Sequence, residues 1–194
     1  MSVADEGGGR RAGDPRAERT RARLRDALLA ECADRPLDEL TVSAVVRRAA
    51  LGRATFYLHY EDLQALAVDA CAEVVDRAVD ALHAWRGIPD PAAPPPALTA
   101  FFTETAGHAP LYRGLLRPGG SGPLGELLHD RLRERSRTER ELAKASHADL
   151  VGSAVAAAFT GVLADWLHER IDATPDAVAA GVWRLLIALH RAVA

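Results

Sequence analysis

The sequence predicts an all-α protein. Apolar residues recur at spacings of three and four along most of the chain, which is the period of amphipathic helices. No stretch of useful length alternates between apolar and polar residues, as half-buried strands do. The segments 87–96 and 117–123 are rich in proline or glycine and break the second half of the chain into separate helices. We therefore expect short helices before residue 62, one long helix after them, and a further helical unit.

The N-terminal segment predicts an arm followed by one amphipathic helix. Residues 1–15 are rich in glycine and end in a proline, so we expect them to form a flexible arm. The first helix begins near Ala17 and ends before Pro36, because proline cannot continue a helix. Its apolar positions are Leu24, Ala27, Leu28 and Cys32.

Two shorter helices follow, and a tight turn joins them. The Thr41 hydroxyl can cap the second helix, and the third helix starts at Arg53. One face of the second helix carries Val42, Val45, Val46 and Ala49. At about 100° per residue, Phe56 and Tyr60 fall on one side of the third helix, where they can pack against those valines. The opposite side carries Arg53, Ala54, Tyr57 and Leu58.

The apolar pattern from Leu63 to Trp85 predicts a fourth helix of about 23 residues, or about 35 Å. Such a helix is too long for a three-helix domain, so we expect it to bridge into a second domain. The sequence thus predicts an N-terminal domain over 16–62 and a C-terminal helical domain over 63–194. Further helices are expected near 97–107, 110–116, 124–146, 149–171 and 176–192.

The charge of the chain is unevenly distributed. A net charge of −3 taken alone argues against a nucleic-acid partner. The segment from Arg10 to Arg25, however, contains seven arginines against only Asp14 and Glu18. A basic segment of this kind can dock on phosphates, and it can equally be the solvated face of an Arg-rich helix.

The sequence also predicts the cellular compartment of the protein. The cysteines Cys32 and Cys71 lie far apart without CxxC spacing, which favours a reducing compartment. The longest stretch without a charge, Val151 to Ala164, is shorter than the roughly 18 to 20 residues that a membrane span requires. The N-terminus has no apolar core of the kind found in secretory signals. We therefore expect a cytoplasmic protein with no membrane partner.

The second and third helices have the length and polarity of a helix-turn-helix. In such a unit the second helix lies in the major groove of DNA, and its N-terminal residues contact base edges. Arg53 could then donate to guanine, and the exposed Leu58 could touch a thymine methyl group. Tyr57 and His59 could donate hydrogen bonds to phosphate oxygens beside the groove.

The stretch "LTVSAVVRRAALGRATFYLHYEDLQAL" (40–66) resembles the DNA-binding signature of TetR-type (TetR/AcrR) bacterial transcriptional regulators. The resemblance implies that Thr41 and Ser43 lie against the DNA. It implies base-edge or groove contacts for Arg53, Ala54, Thr55 and Leu58, and contacts with the DNA backbone for Tyr57 and His59. Three positions depart from the family pattern: Ala50 replaces the turn glycine, Gly52 the capping serine, and Leu63 a phosphate-binding lysine.

The resemblance further implies that the C-terminal domain binds a small effector and forms a homodimer. The sequence favours the dimer independently, because helices that are apolar on most sides must be buried on more than one face. A helix buried within a monomer is the alternative. The interface residues that we expect are Val155, Val162, Val182, Leu185, Leu186 and Leu189. The candidate pocket residues are Phe101, Phe102, His108, Tyr112, Phe159 and Trp166, although aromatic residues at helical spacing more often form core.

The alternative function is a helical-bundle metalloenzyme. Acid-x-x-His pairs can build di-metal sites in bundles, and three occur: Asp80/His83, Glu126/His129 and Asp165/His168. Their helical phase separates them from the leucines and valines, so we expect them to face water. No GxSxG, HExxH, Walker or Rossmann pattern occurs. We therefore predict no metal, no cofactor and no catalysis, and favour a repressor that a small molecule releases from a palindromic DNA operator.

Overall fold

The computed structural model describes residues 14–33, 35–84 and 89–192, and every regular element within these ranges is helical. The all-α prediction is therefore confirmed. The nine α-helices of the described ranges are α1 (Pro15–Cys32), α2 (Val42–Arg48), α3 (Arg53–Tyr57), α4 (Leu63–His83), α5 (Pro96–Gly107), α6 (Ala109–Leu115), α7 (Pro123–Leu142), α8 (Ala148–Leu167) and α9 (Pro175–Ala192). Two short 3-10 turns, Leu37–Glu39 and Pro118–Gly120, precede α2 and α7.

The first and fourth helices begin at side-chain caps. Asp14 accepts a hydrogen bond from the Arg16 backbone N–H at 2.9 Å, so α1 starts at Pro15, the last residue assigned to the arm by sequence. The Asp62 carboxylate caps α4 by accepting from the Ala65 N–H at 2.7 Å. The rest of the predicted arm, residues 1–13, and Trp85 lie outside the described residues.

Two helices of the second domain end earlier than the sequence predicts. The segments 124–146 and 149–171 were expected to be helical, whereas α7 ends at Leu142 and α8 at Leu167. Shortly after each end one residue adopts a left-handed backbone, Lys144 with φ 52° and Glu169 with φ 62°. Glycine usually marks such a stop, and neither position carries one. The helix ends were therefore not visible in the sequence.

The N-terminal core joins α1, α2, α3 and the first half of α4. Its fully buried side chains include Leu24, Leu28, Val45, Phe56 and Leu66. Polar contacts fix the relative positions of these helices. The Arg25 guanidinium contacts the Asp69 carboxylate at 3.0 Å, and the Tyr60 hydroxyl donates to the same carboxylate at 2.5 Å. Burial and this hydrogen bond to Asp69 raise the pKa of the Tyr60 hydroxyl, so it remains a donor at neutral pH.

The C-terminal domain is organised around α8, which packs along α7 and also contacts α9. By length and composition alone α8 could cross a membrane, and half of its apolar window is buried inside the protein. Two glycines allow close helix packing. A Cβ atom at Gly152 of α8 would lie 2.8 Å from the Arg133 carbonyl oxygen of α7. A Cβ atom at Gly125 would overlap the Gly120 carbonyl oxygen, so the turn before α7 folds tightly onto that helix.

Candidate nucleic-acid interface

The third helix is held by one face and exposed on the other. Phe56 is fully buried and Tyr60 is 8 % exposed, and their ring centroids lie 5.9 Å apart. On the opposite face Leu58 is 81 % and Tyr57 52 % exposed. Arg53 and Ala54 are exposed as well, whereas Thr55 and His59 are partly buried. An exposed leucine flanked by an arginine and a tyrosine is a surface suited to a groove with apolar methyl groups and hydrogen-bonding base edges.

The second helix, which contacts α3, begins at a side-chain cap. The Thr41 hydroxyl accepts a hydrogen bond from the Ala44 N–H at 3.2 Å, which makes it a helix cap. Ser43 is exposed in the first turn of α2. Arg47 lies one turn further along α2 and is also exposed. The i, i+4 spacing places Ser43 and Arg47 on one face of α2, so Arg47 is a candidate phosphate contact that the sequence interpretation missed.

The turn between α2 and α3 is held from α1. Arg23 donates from one guanidinium nitrogen to the Ala49 carbonyl at 2.6 Å and to the Ala50 carbonyl at 3.1 Å. Ala50 has φ 50°, a left-handed backbone that glycine adopts at lower cost. The contact with Arg23 supports a turn that this sequence builds without the usual glycine.

Most arginine side chains in the described part of the arginine-rich segment contact other groups of the chain. Arg21 and Arg25 pair with Glu18, and Arg23 binds the turn carbonyls. Arg19 donates to the Pro15 carbonyl at 3.1 Å. For these side chains the structure favours the interpretation as a helix surface with internal partners. Arg10 and Arg11 lie outside the described residues.

Four of the six predicted effector residues form core packing: Phe101, Phe102, Tyr112 and Phe159. Phe101, Phe102 and Phe159 are at most 2 % exposed, with ring centroids 5.5 to 6.0 Å apart. Tyr112 is also 2 % exposed, and the His108 Nδ1 atom is 3.2 Å from the Glu104 carbonyl oxygen. Trp166 alone among the six lines a described crevice, of about 550 Å³. The prediction of one pocket shared by all six is therefore corrected, because the phenylalanines pack against one another.

The predicted dimer residues divide into two sets. Val155, Val182 and Leu186 are 1 %, 2 % and 4 % exposed and belong to the core of the chain itself. Their side chains are not available to a second copy, and this part of the prediction is corrected. Leu185 is 40 % exposed, and Val162 and Leu189 are partly buried. These three remain candidates for an interface on the outer face of α8 and α9.

The acid-x-x-His pairs agree with the helical phase only in part, since Asp80 and Glu126 are exposed as expected whereas their histidines are partly buried. His83 is partly buried, with Nδ1 2.7 Å from the Val79 carbonyl oxygen and Nε2 3.0 Å from Ser136 Oγ. Its ring therefore faces α7 and not water, which corrects the prediction. His168 Nε2 lies 2.8 Å from the Leu116 carbonyl oxygen. Within 14–33, 35–84 and 89–192, no group of three or more His, Cys, Asp or Glu side chains is arranged to hold a metal ion.

Comparison with known proteins identifies the fold. No protein-family model matches the sequence, and no curated protein matches it. Solved structures do match. A TetR transcriptional regulator from Rhodococcus sp. RHA1 aligns with a TM-score of 0.60 and 16% identity over 89% of this chain and 96% of that one. The TetR family repressor AlkX from Dietzia sp. aligns with a TM-score of 0.60 and 20% identity over 96% and 99% of the two chains.

A third structure agrees with these two. The fatty acid degradation regulator FadR from Bacillus halodurans aligns with a TM-score of 0.54 and 16% identity, over 90% of this chain and 95% of its own. All three alignments extend over both the helix-turn-helix and the C-terminal helices. This chain therefore has the fold of the TetR-family transcriptional regulators.

Proposed function

We propose that the protein is a transcriptional regulator that binds a palindromic DNA operator as a homodimer. The observation that carries the proposal is the exposed face of α3, where Leu58 and Tyr57 are open to solvent while Phe56 is fully buried. A buried anchor and an exposed opposite face are what a recognition helix needs in order to lie in a major groove. The TetR-family fold supports this assignment.

The roles proposed for the exposed residues differ in kind. Arg53 and Leu58 contact base edges, with Ala54 and Thr55 beside them, whereas Tyr57 and His59 contact phosphates. Thr41 and Ser43 lie at the start of α2, close to the DNA backbone. Phosphate contacts set affinity for every sequence, and base contacts set preference. The two classes therefore predict different mutant behaviour.

A mobility-shift assay on the DNA flanking the gene tests the proposal. We expect Tyr57→Ala to weaken binding to all sequences, and Arg53→Ala to relax preference at one base pair by about 1 to 3 kcal/mol. Glu73→Ala, an exposed position on α4, is the matched control and should leave binding unchanged. Loss of preference at every base pair in Arg53→Ala would contradict its role, and unchanged binding in both variants would contradict the interface.

The dimer proposed for this protein uses the outer face of α8 and α9. Leu185 is exposed there, and Cβ atoms at Gly161 and Gly181 would meet no atom of another described helix within 4 Å. Small residues let two helices approach closely, and a twofold contact repeats the same patch on both copies. The side chains of Val162 and Leu189 extend the apolar surface around Leu185.

Sedimentation equilibrium measures this association directly. We expect a dimer for the unaltered chain and a monomer for Leu185→Glu, because a carboxylate in an apolar twofold interface would face its own copy. Leu142→Glu is the control, since Leu142 is 75 % exposed at the end of α7 and lies off this face. A Leu185→Glu protein that remains dimeric would place the interface elsewhere.

We further propose that a small-molecule effector releases the dimer from DNA in the cytoplasm, and that the protein acts as a repressor. An effector can shift this equilibrium only if it binds the released form more tightly than the DNA-bound form. AlkX, which is a repressor with this fold, supports the proposed repressor role.

A further inference from the structure

The second helix ends at a left-handed residue that is not glycine. Ala49 is the C-cap of α2, and Ala50, with φ 50°, follows it. The Ala50 N–H donates to the Arg47 carbonyl at 3.1 Å. The Leu51 N–H donates to the Val46 carbonyl at 2.8 Å. This pair of hydrogen bonds is the Schellman motif, in which the left-handed position is usually glycine because a Cβ atom there is strained. The turn that leads into α3 therefore has a conformational cost that a glycine would avoid.

Arg23 of α1 binds this turn at the strained position. Its guanidinium donates to the Ala49 carbonyl at 2.6 Å and to the Ala50 carbonyl at 3.1 Å. These carbonyls lie directly before and after the left-handed backbone angles, so the contact restrains the turn on both sides. A cation at the carbonyl end of a helix also interacts favourably with the helix dipole. Leu24, the next residue of α1, is fully buried and holds the helix that carries Arg23 against the core.

The end of α8 has a similar arrangement. His168 is the C-cap of α8, and Glu169 follows it with a left-handed φ of 62°. The Arg113 guanidinium, from α6, donates to the Leu167 carbonyl at 2.5 Å. In both places a helix ends without glycine, and an arginine of another helix binds a carbonyl at that end. The contact at α2 has the more direct consequence for DNA binding, because the proposed recognition helix α3 begins directly after that turn.

The position of α3 depends on this turn. The helix has five residues, and its N-cap Gly52 supplies no side-chain hydrogen bond. So short a helix takes its orientation from the turn before it and from its buried anchor Phe56. We propose that Arg23 takes the place of a turn glycine. It holds Ala50 in the left-handed conformation and thereby positions α3 for DNA, so that binding depends on Arg23 only while residue 50 is alanine. The inference rests on the proposed function in naming DNA as the ligand, whereas the restraint on the turn requires no DNA.

Amide exchange on the full-length protein without DNA tests the restraint on the turn. We expect Arg23→Gln to lower the protection of the Leu51 amide about fivefold or more, because two charge-assisted hydrogen bonds to the turn are lost, while α8 keeps its protection. Adding Ala50→Gly should return the protection of Leu51 to within about twofold of the unaltered chain. Arg19→Gln is the matched control, since Arg19 is an exposed arginine of α1 that donates to the Pro15 carbonyl of its own helix. Equal protection of Leu51 in Arg23→Gln and in the unaltered chain would overturn the proposal.

A mobility-shift assay on the DNA flanking the gene tests the positioning of α3. The apparent Kd rises as the binding-competent form of the turn becomes less populated. We expect Arg23→Gln to weaken binding about fivefold or more, and Ala50→Gly alone to change it less than about twofold. The double variant should bind within about twofold of the unaltered chain, because glycine adopts the left-handed conformation without the arginine.

The salt dependence of binding separates this role from a direct phosphate contact. A side chain that binds a phosphate contributes about one unit to the slope of log K against log salt concentration. Arg23→Gln should leave this slope unchanged. A slope reduced by about one unit, without rescue by Ala50→Gly, would show that Arg23 binds DNA itself and would overturn the proposal. If the unaltered chain fails to bind this DNA, the proposed function is wrong, and amide exchange still decides whether Arg23 holds the turn.

Discussion

Replacing Gly125 by alanine is expected to lower the free energy of unfolding by about 3 kcal/mol or more, a shift of about 6 to 12 °C in Tm for a chain of this size. An alanine Cβ would overlap the Gly120 carbonyl oxygen and approach the Leu116 side chain at 3.2 Å. The Gly120 carbonyl belongs to backbone and cannot rotate away as a flexible side chain would. The turn 118–120 must therefore move, or α7 must shift relative to it.

The turn has little freedom to move. The Arg117 N–H donates to the Ser121 carbonyl at 2.7 Å, which closes the turn on itself. On its other side Gly120 lies against Thr160 of α8, where a Cβ atom would be 3.1 Å from the Thr160 methyl group. The same turn also connects α6 to α7. A displacement at Gly125 would therefore disturb the packing of α7 on α8, which is the most extensive helix contact of the described chain.

Urea denaturation with Gly107→Ala as the matched control measures the effect. Gly107 is the last residue of α5, and a Cβ atom there would meet nothing within 4 Å. We expect Gly107→Ala to change stability by less than about 1 kcal/mol in either direction. If Gly125→Ala were as stable as Gly107→Ala, this result would contradict the close contact between the Gly120 carbonyl and α7.

The elements that the sequence predicted best are those with local signals. The Thr41 cap, the valine spacing of α2 and the start of α3 at Arg53 agree with the structure. These signals succeed because a cap and an amphipathic face are written into adjacent residues. The ends of α7 and α8 had no such signal, since Lys144 and Glu169 hold backbone conformations that normally indicate glycine.

Long-range packing explains why the C-terminal site was harder to predict. Helical spacing shows which residues share a face, and it does not show whether that face meets another helix or a cavity. The prediction that Phe101 and Phe159 lie close together agrees with the structure. The two rings contact one another in the core, however, and do not line a shared pocket. A cavity of about 410 Å³ is lined by residues of α4, α7, α8 and α9, and no short sequence pattern connects Leu82 with His190.

Charge counting failed for a related reason. The arginines of α1 predicted either a phosphate-binding arm or a solvated surface, and composition could not distinguish the two. In the structure Arg23 supports the turn carbonyls and Arg25 bridges Glu18 and Asp69. Arg23 thus supports the turn before α3, and Arg25 binds the Asp69 carboxylate that also accepts from Tyr60, just after α3. This role depends on contacts more than 20 residues apart, which the local charge pattern does not contain.

Truncation of Phe56 is expected to remove DNA binding by releasing α3. This helix has only five residues, too few to be stable without tertiary contacts. Phe56 is fully buried and contacts the rings of Tyr57 and Tyr60 with centroids 5.3 and 5.9 Å away. We expect Phe56→Ala to cost about 3 to 5 kcal/mol of stability, the usual range for a phenylalanine removed from a core. Urea denaturation gives this value, and amide exchange shows whether α3 loses protection.

The adjacent residue separates anchoring from recognition. Tyr57 is 52 % exposed, so Tyr57→Ala should lower stability by less than about 1 kcal/mol while it weakens DNA binding. Phe56→Leu should retain part of the stability and part of the DNA binding that Phe56→Ala loses, because leucine refills much of the cavity without touching DNA. If Phe56→Ala kept full stability, the buried ring would not be the anchor. If Tyr57→Ala lost as much stability as Phe56→Ala, the effect of Tyr57 on DNA binding would be structural, and the exposed face of α3 would have no separate role in recognition.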